Sequence, residues 1–224
     1  MSETDSFIEE VTEEVRRDKL FGYLKKYGWI AVVVVVGAVG TTAWLEYQKA
    51  QKIAAAQALG DKILAASGQP TPKERATVLA AIVPEAGAAA VVVQFQQAGE
   101  LLGAGDKAGA LAVLDAIAAN NPLAEYRDQA ALKALILRGK DMDQAERASA
   151  LEALAVAGEP YRPLAQEQLA VMAIEAGDKD KAISLLSELF LDSQATGALR
   201  SRASQMIIAL GGEVPENPQL QLDQ

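Results

Sequence analysis

QQAGELLGAGDKAGALAVLDAI, from Gln96 to Ile117, lies without a gap over QLAVMAIEAGDKDKAISLLSEL, from Gln168 to Leu189, 72 residues further on. Ala98, Gly105, Asp106, Lys107, Ala110 and Leu114 recur as Ala170, Gly177, Asp178, Lys179, Ala182 and Leu186. Each copy reads as two helices joined at Gly-Asp. The repeated alanines belong where helices touch, since close approach needs a side chain no larger than a methyl.

Working outward, helix-breaking turns recur at Ser67-Gly68-Gln69-Pro70, Gly103-Ala104-Gly105-Asp106, Gly139-Lys140-Asp141 and Gly177-Asp178. Their centres at Gly68, Ala104, Lys140 and Gly177 are 36, 36 and 37 residues apart. A period of this size with one turn in mid-repeat marks stacked helix pairs. The expected pairs are 47–66 with 72–83, 88–103 with 106–119, 123–138 with 143–157, and 160–176 with 179–191. A last helix at 197–210 ends before Gly211-Gly212, and the final dozen residues read as a loose end. Thr71-Pro72-Lys73-Glu74 is a capping box with proline at the first helical position, and Asn121-Pro122 and Glu159-Pro160 are read the same way.

The two clear copies resemble the tetratricopeptide repeat: a small residue early in the first helix, Gly-Asp at the turn, Ala four residues after the Asp, and Pro122 at the end of the first copy. The match weakens over 123–157, where Gly139-Lys140-Asp141 is displaced and no equivalent alanine stands out, and over 47–83, whose turn lacks Gly-Asp. Alanine-rich helices that merely bundle are the alternative.

Before the repeats lies GWIAVVVVVGAVGTTAWL, Gly28 to Leu45, eighteen residues without a charge. As a helix it is about 27 Å long, close to the ~30 Å hydrocarbon core of a bilayer. Tyr23, Tyr27 and Trp29 at one edge and Trp44 and Tyr47 at the other form the aromatic belts of a membrane span. Arg16, Arg17, Lys19, Lys25 and Lys26 precede it, against Lys49, Lys52 and Lys62 after it, which favours a cytoplasmic N-terminus. A cleaved signal peptide would have a shorter apolar core and an earlier small-x-small site. The chain is thus expected to be all-α: tail 1–27, transmembrane helix 28–45, and a tetratricopeptide-like α-solenoid over 46–224. In the tail, Ser6-Phe7-Ile8-Glu9 reads as a capping box that starts a helix, with Phe7, Ile8, Val11 and Val15 as a narrow apolar stripe. That stripe serves either a solvated juxtamembrane helix or a docking helix for a cytoplasmic partner.

Residues 46–224 carry a net charge of −7. An acidic domain without a basic stripe does not suit nucleic acid. The chain has no cysteine and no histidine. Ser-His-Asp and Cys-His constellations are therefore excluded, and the commonest metal ligands are missing. There is no Ser-x-x-Lys dyad, Walker loop or G-x-G-x-x-G, and acidic pairs such as Glu9-Glu10 read as the wet side of a helix. No catalytic residue, cofactor, metal or small-molecule substrate is expected.

What remains is a surface. In stacked helix pairs the first helices line the concave side, where extended partners lie. Registering the copies puts Val92, Phe95 and Leu102 there from one, Leu164, Glu167, Val171 and Ile174 from the other, and Arg127, Leu137 and Arg138 from the middle repeat. An apolar groove with a few charges suits extended polypeptide. A curled stack or the last helix would instead cover these residues as core.

The order of FIEEVTEEVRRDKLFGYLKKYG (Phe7 to Gly28), anchor, and divergent tetratricopeptide-like domain resembles the YfgM-type family, described as the ancillary subunit of the SecYEG translocon. The resemblance implies a bacterial inner-membrane protein with its tail in the cytoplasm and its repeats in the periplasm. It implies partners among translocon subunits, a membrane-anchored periplasmic chaperone or prolyl isomerase, and exported polypeptides. It supplies no residue roles. The competing expectation is a scaffold subunit of another envelope complex, in cell division or respiratory assembly.

Overall fold

The structure, a computed structural model, describes the backbone of residues 3–216 and the side chains of residues 17, 25–30 and 32–216. All regular structure among the described residues is helical, with no strand. By contacts the chain divides into Met1–Asp61 and Lys62–Gln224.

The first unit is one helix. Helix α1 runs from Glu3 to Ser67 without interruption, its last turn belonging to the second unit. It starts three residues before Ser6, so Ser6 lies inside it instead of at its start. The stripe of Phe7, Ile8, Val11 and Val15 lies outside the described side chains. Anchor and following segment, expected as separate helices, are continuous, because no glycine or proline stands between Thr41 and Leu59 to end the ladder. One helix among the described residues is long and apolar enough to cross a membrane, and nothing in the structure covers its apolar stretch. Thr41 and Thr42 turn their hydroxyls back onto the carbonyls of Gly37 and Ala38 at 2.7 and 2.8 Å. Neither leaves a polar atom unpaired, as an apolar solvent requires.

The second unit holds α2 (Pro72–Ile82), α3 (Ala90–Gly103), α4 (Lys107–Asn120), α5 (Ala124–Arg138), α6 (Gln144–Leu154), α7 (Arg162–Glu175), α8 (Lys179–Leu191) and α9 (Gly197–Leu210). Each packs mainly on the helices before and after it. The helices begin and end close to where the repeat pattern put them. Thr71 caps α2 as expected: its hydroxyl accepts from the Glu74 N–H and the Glu74 carboxylate accepts from the Thr71 N–H. Pro122 and Pro160 do not open helices. Proline drives the residue before it into extended backbone, and Asn121 at ψ 134° stays outside α5. The middle turn is a 3-10 segment, Gly139–Asp141, after which Asp143 caps α6.

The two copies agree atom for atom at their turns. Gly105 and Gly177 have φ of 80° and 78°, where a side chain would be strained. Asp106 and Asp178 donate their N–H to Leu101 and Ala173 carbonyls at 2.8 and 2.9 Å, and their carboxylates accept from the N–H of Gly109 and Lys181.

The correspondence reaches further than the sequence pattern. Helices α6, α7, α8 and α9 begin 72 or 73 residues after α2, α3, α4 and α5, so residues 72–138 and 144–210 are two copies of one four-helix unit. Leu79, Leu114, Leu151 and Leu186 are buried at the same place on four successive second helices. Four residues before them stand Arg75, Ala110, Arg147 and Ala182, alternating an ion-paired arginine, half-buried at 75 and buried at 147, with an alanine. Arg75 pairs with Glu100 at 2.7 Å and Arg147 with Glu175 at 2.8 Å. On the first helices, Ala98, Ala134 and Ala170 are buried at intervals of 36, so the middle repeat does carry the small residue its sequence hid.

Candidate functional site

Three of the ten expected surface residues meet in one groove. Phe95 and Leu102 from α3 and Leu137 from α5 line it, joined by Gly99 and Ile136, over a floor of Ala98 and Leu114; its volume is about 440 Å³. Burial sets the order of the layers: Ala98 and Leu114 are core, Phe95 and Leu137 half-buried, Leu102 and Ile136 exposed lips at 42% and 47%. Phe95 is held by the tilted ring of Tyr126, 6.3 Å away. Val92 lies one turn before Phe95, exposed and outside the groove. The one charged group at the groove is the exposed Lys133, which has no ion-pair partner among the described residues.

The two expected arginines are occupied elsewhere. Arg127 donates to the carbonyls of Asn121 and Pro122 at 3.0 and 3.2 Å, fastening the loop into α5, and Arg200 repeats this on Asp192 and Ser193. Arg138 pairs with Asp115 at 2.6 Å. Both fix helix ends and are not free to meet a ligand.

In the second copy the last helix reaches into the expected set: Arg202 of α9 grips the Glu167 carboxylate through two nitrogens at 2.8 and 3.0 Å, and Glu167 is buried. The same contact raises the Arg202 guanidinium further above its ordinary value, hydrogen bond first and charge second. Val171 and Ile174 are half-buried, and Leu164 is exposed one turn before Glu167.

The residue the sequence reading passed over is Gly99. Glycine inside a helix costs about 0.5–1 kcal/mol relative to alanine, and that conspicuous position was the available signal. A Cβ placed there would meet nothing within 4 Å.

Two larger grooves of 590 and 600 Å³ lie beside α2 and α6 and are counterparts of one another. Ala76, Leu101 and Asp106 line the first; Ala148, Ala173 and Asp178 line the second. Neither lining contains an aromatic ring to anchor a partner, and both carry charged residues. Among the described residues no three carboxylates gather closely enough to hold a metal ion. No family model, curated protein or solved structure matches the chain.

Proposed function

We propose that this chain is a membrane-anchored adaptor of tetratricopeptide-like repeats whose α3–α5 groove holds segments of other polypeptides. The observation that carries the reading is the groove itself. It joins two consecutive first helices, has apolar lips in water, and is braced by the Phe95–Tyr126 pair. Exposed leucine and isoleucine beside a half-buried ring make a surface that gains by covering, at roughly 25 cal/mol per Å² of apolar area.

The repeat period, the small residues at Ala98, Ala134 and Ala170, and the Gly-Asp turns support the solenoid reading. Residues 28–45 would anchor the chain in a bilayer, N-terminus in the cytoplasm, with the repeats on the far side. The resemblance to the YfgM-type family points to the bacterial inner membrane, to translocon subunits and a periplasmic chaperone as neighbours, and to exported polypeptides as clients. The absence of histidine and cysteine favours binding over catalysis. Photo-crosslinking from Leu102 and from Ile136, in the full chain in its native membrane, tests this. Adducts of many sizes that include exported polypeptides are expected. One stable partner of fixed size would replace the adaptor with a scaffold subunit of an envelope complex.

A further inference from the structure

The groove and its counterpart 72 residues on differ at two decisive places. Phe95 becomes Glu167, clamped under Arg202, and Gly99 becomes the half-buried Val171, which carries the side chain that Gly99 lacks. Gly99 is not required by backbone conformation, since it is absent from the glycines with positive φ, and nothing approaches its missing Cβ. What the glycine does is keep space open between Phe95, Leu102 and Leu137. The lining contains no carboxylate, and its single charge, Lys133, is unpaired among the described residues.

We propose that the α3–α5 groove receives one bulky apolar side chain of a polypeptide that carries an acidic residue beside it, Gly99 giving the room and Lys133 meeting the carboxylate, and that the second copy is no second site. This deepens the adaptor reading and rests on it. A volume of 440 Å³ accepts an aromatic or leucine side chain with its flanking backbone, but not a whole helix. The chain's overall charge of −9 does not forbid an acidic ligand, because charges further than about 8 Å are screened at physiological salt while Lys133 acts at contact. One open copy beside one closed copy also makes the domain a reader of a short motif and not of a long extended chain.

The test uses the full chain in lipid nanodiscs and three fluorescent nonapeptides of Gly and Ser with a central Asp-Phe-Asp, Lys-Phe-Lys or Asp-Ala-Asp, read by anisotropy. The Asp-Phe-Asp peptide is expected to bind at least tenfold more tightly than either other. Gly99→Val should weaken it tenfold or more while leaving the thermal midpoint unchanged or higher, so lost binding cannot be lost folding. Lys133→Glu should turn the preference toward Lys-Phe-Lys. Equal binding of the two Phe peptides, each abolished by Gly99→Val, overturns the acidic motif but leaves the groove as a polypeptide site. Unchanged binding in Gly99→Val overturns the groove as well. If Val171→Ala weakens binding as much as Gly99→Val, the claim that the second copy is closed is wrong.

Discussion

At the scale of single residues, the core is a ladder of leucines with one rung per helix pair. Leu79 and Leu151 are fully buried, so truncating either leaves a cavity in a close-packed contact. Leu151→Ala should lower unfolding free energy by about 3 kcal/mol in urea titrations, and Leu79→Ala by a similar amount if the copies are equivalent. Arg202→Ala strands the buried Glu167 carboxylate. Because Arg202 is half exposed and water can reach the site, the expected cost is about 2 kcal/mol, below the ~3–5 of a fully buried pair. Glu167→Gln should recover part of that loss in the double variant, and additive losses would contradict the pairing. These residues also mark where the sequence was hard to read. Ala110 and Ala182 announced themselves, since a repeated small residue has one explanation. Arg75 and Arg147 occupy the same place on α2 and α6 but look like the wet side of a helix; the carboxylates of Glu100 and Glu175, distant in sequence, pair the half-buried Arg75 and the buried Arg147.

At the scale of elements, helix ends were legible because capping is local chemistry. Thr71, Asp106, Asp178 and Thr196 each accept from a backbone N–H near the start of their helix, as their residue types dictate. Asp106→Ala and Asp178→Ala should each cost about 1 kcal/mol by thermal unfolding, and markedly unequal losses would deny that the turns are equivalent. Two exposed ion pairs tie elements together. Lys107 beside Asp141, and Lys62 beside Glu85, hold those carboxyls below their ordinary values, by the hydrogen bond first and the charge second. The stabilisation is present above the unfolded carboxylate range near pH 4 and is lost as pH falls through the lowered folded values. The difference in thermal midpoint between wild type and Lys107→Met should therefore be small at pH 7 and shrink as pH falls below the unfolded carboxylate range. What the sequence concealed was the continuity of α1, because the helix changes composition after Leu45, from uncharged to polar, without changing conformation.

At the scale of the whole molecule, the second unit is a duplication whose joint is thin. α5 and α6 touch sparsely, and hollows of 230 and 600 Å³ flank α6, the smaller bordered by Arg147. In a stack held by nearest-neighbour contacts, such a joint opens first. Native-state hydrogen exchange should find α6 amides less protected than those of α3, α4, α7 and α8; equal protection would mean the unit opens only as a whole. The duplication itself was only half legible. Over 96–117 and 168–189 identical turns advertise it, whereas elsewhere the copies keep similar helix lengths while exchanging other residues, the half-buried Phe95 for the buried Glu167 among them. The open groove is one product of that divergence.

The central claim is that one apolar helix carries this domain across a bilayer and offers it to the compartment opposite the N-terminal tail. Protease applied to sealed, right-side-out membranes bearing the full chain tests it most directly, with fragments identified by mass. The account predicts cleavage within residues 62–216 and a protected fragment that retains the tail and residues 28–45. A domain that survives there and is cut only when the cytoplasmic face is exposed would contradict it.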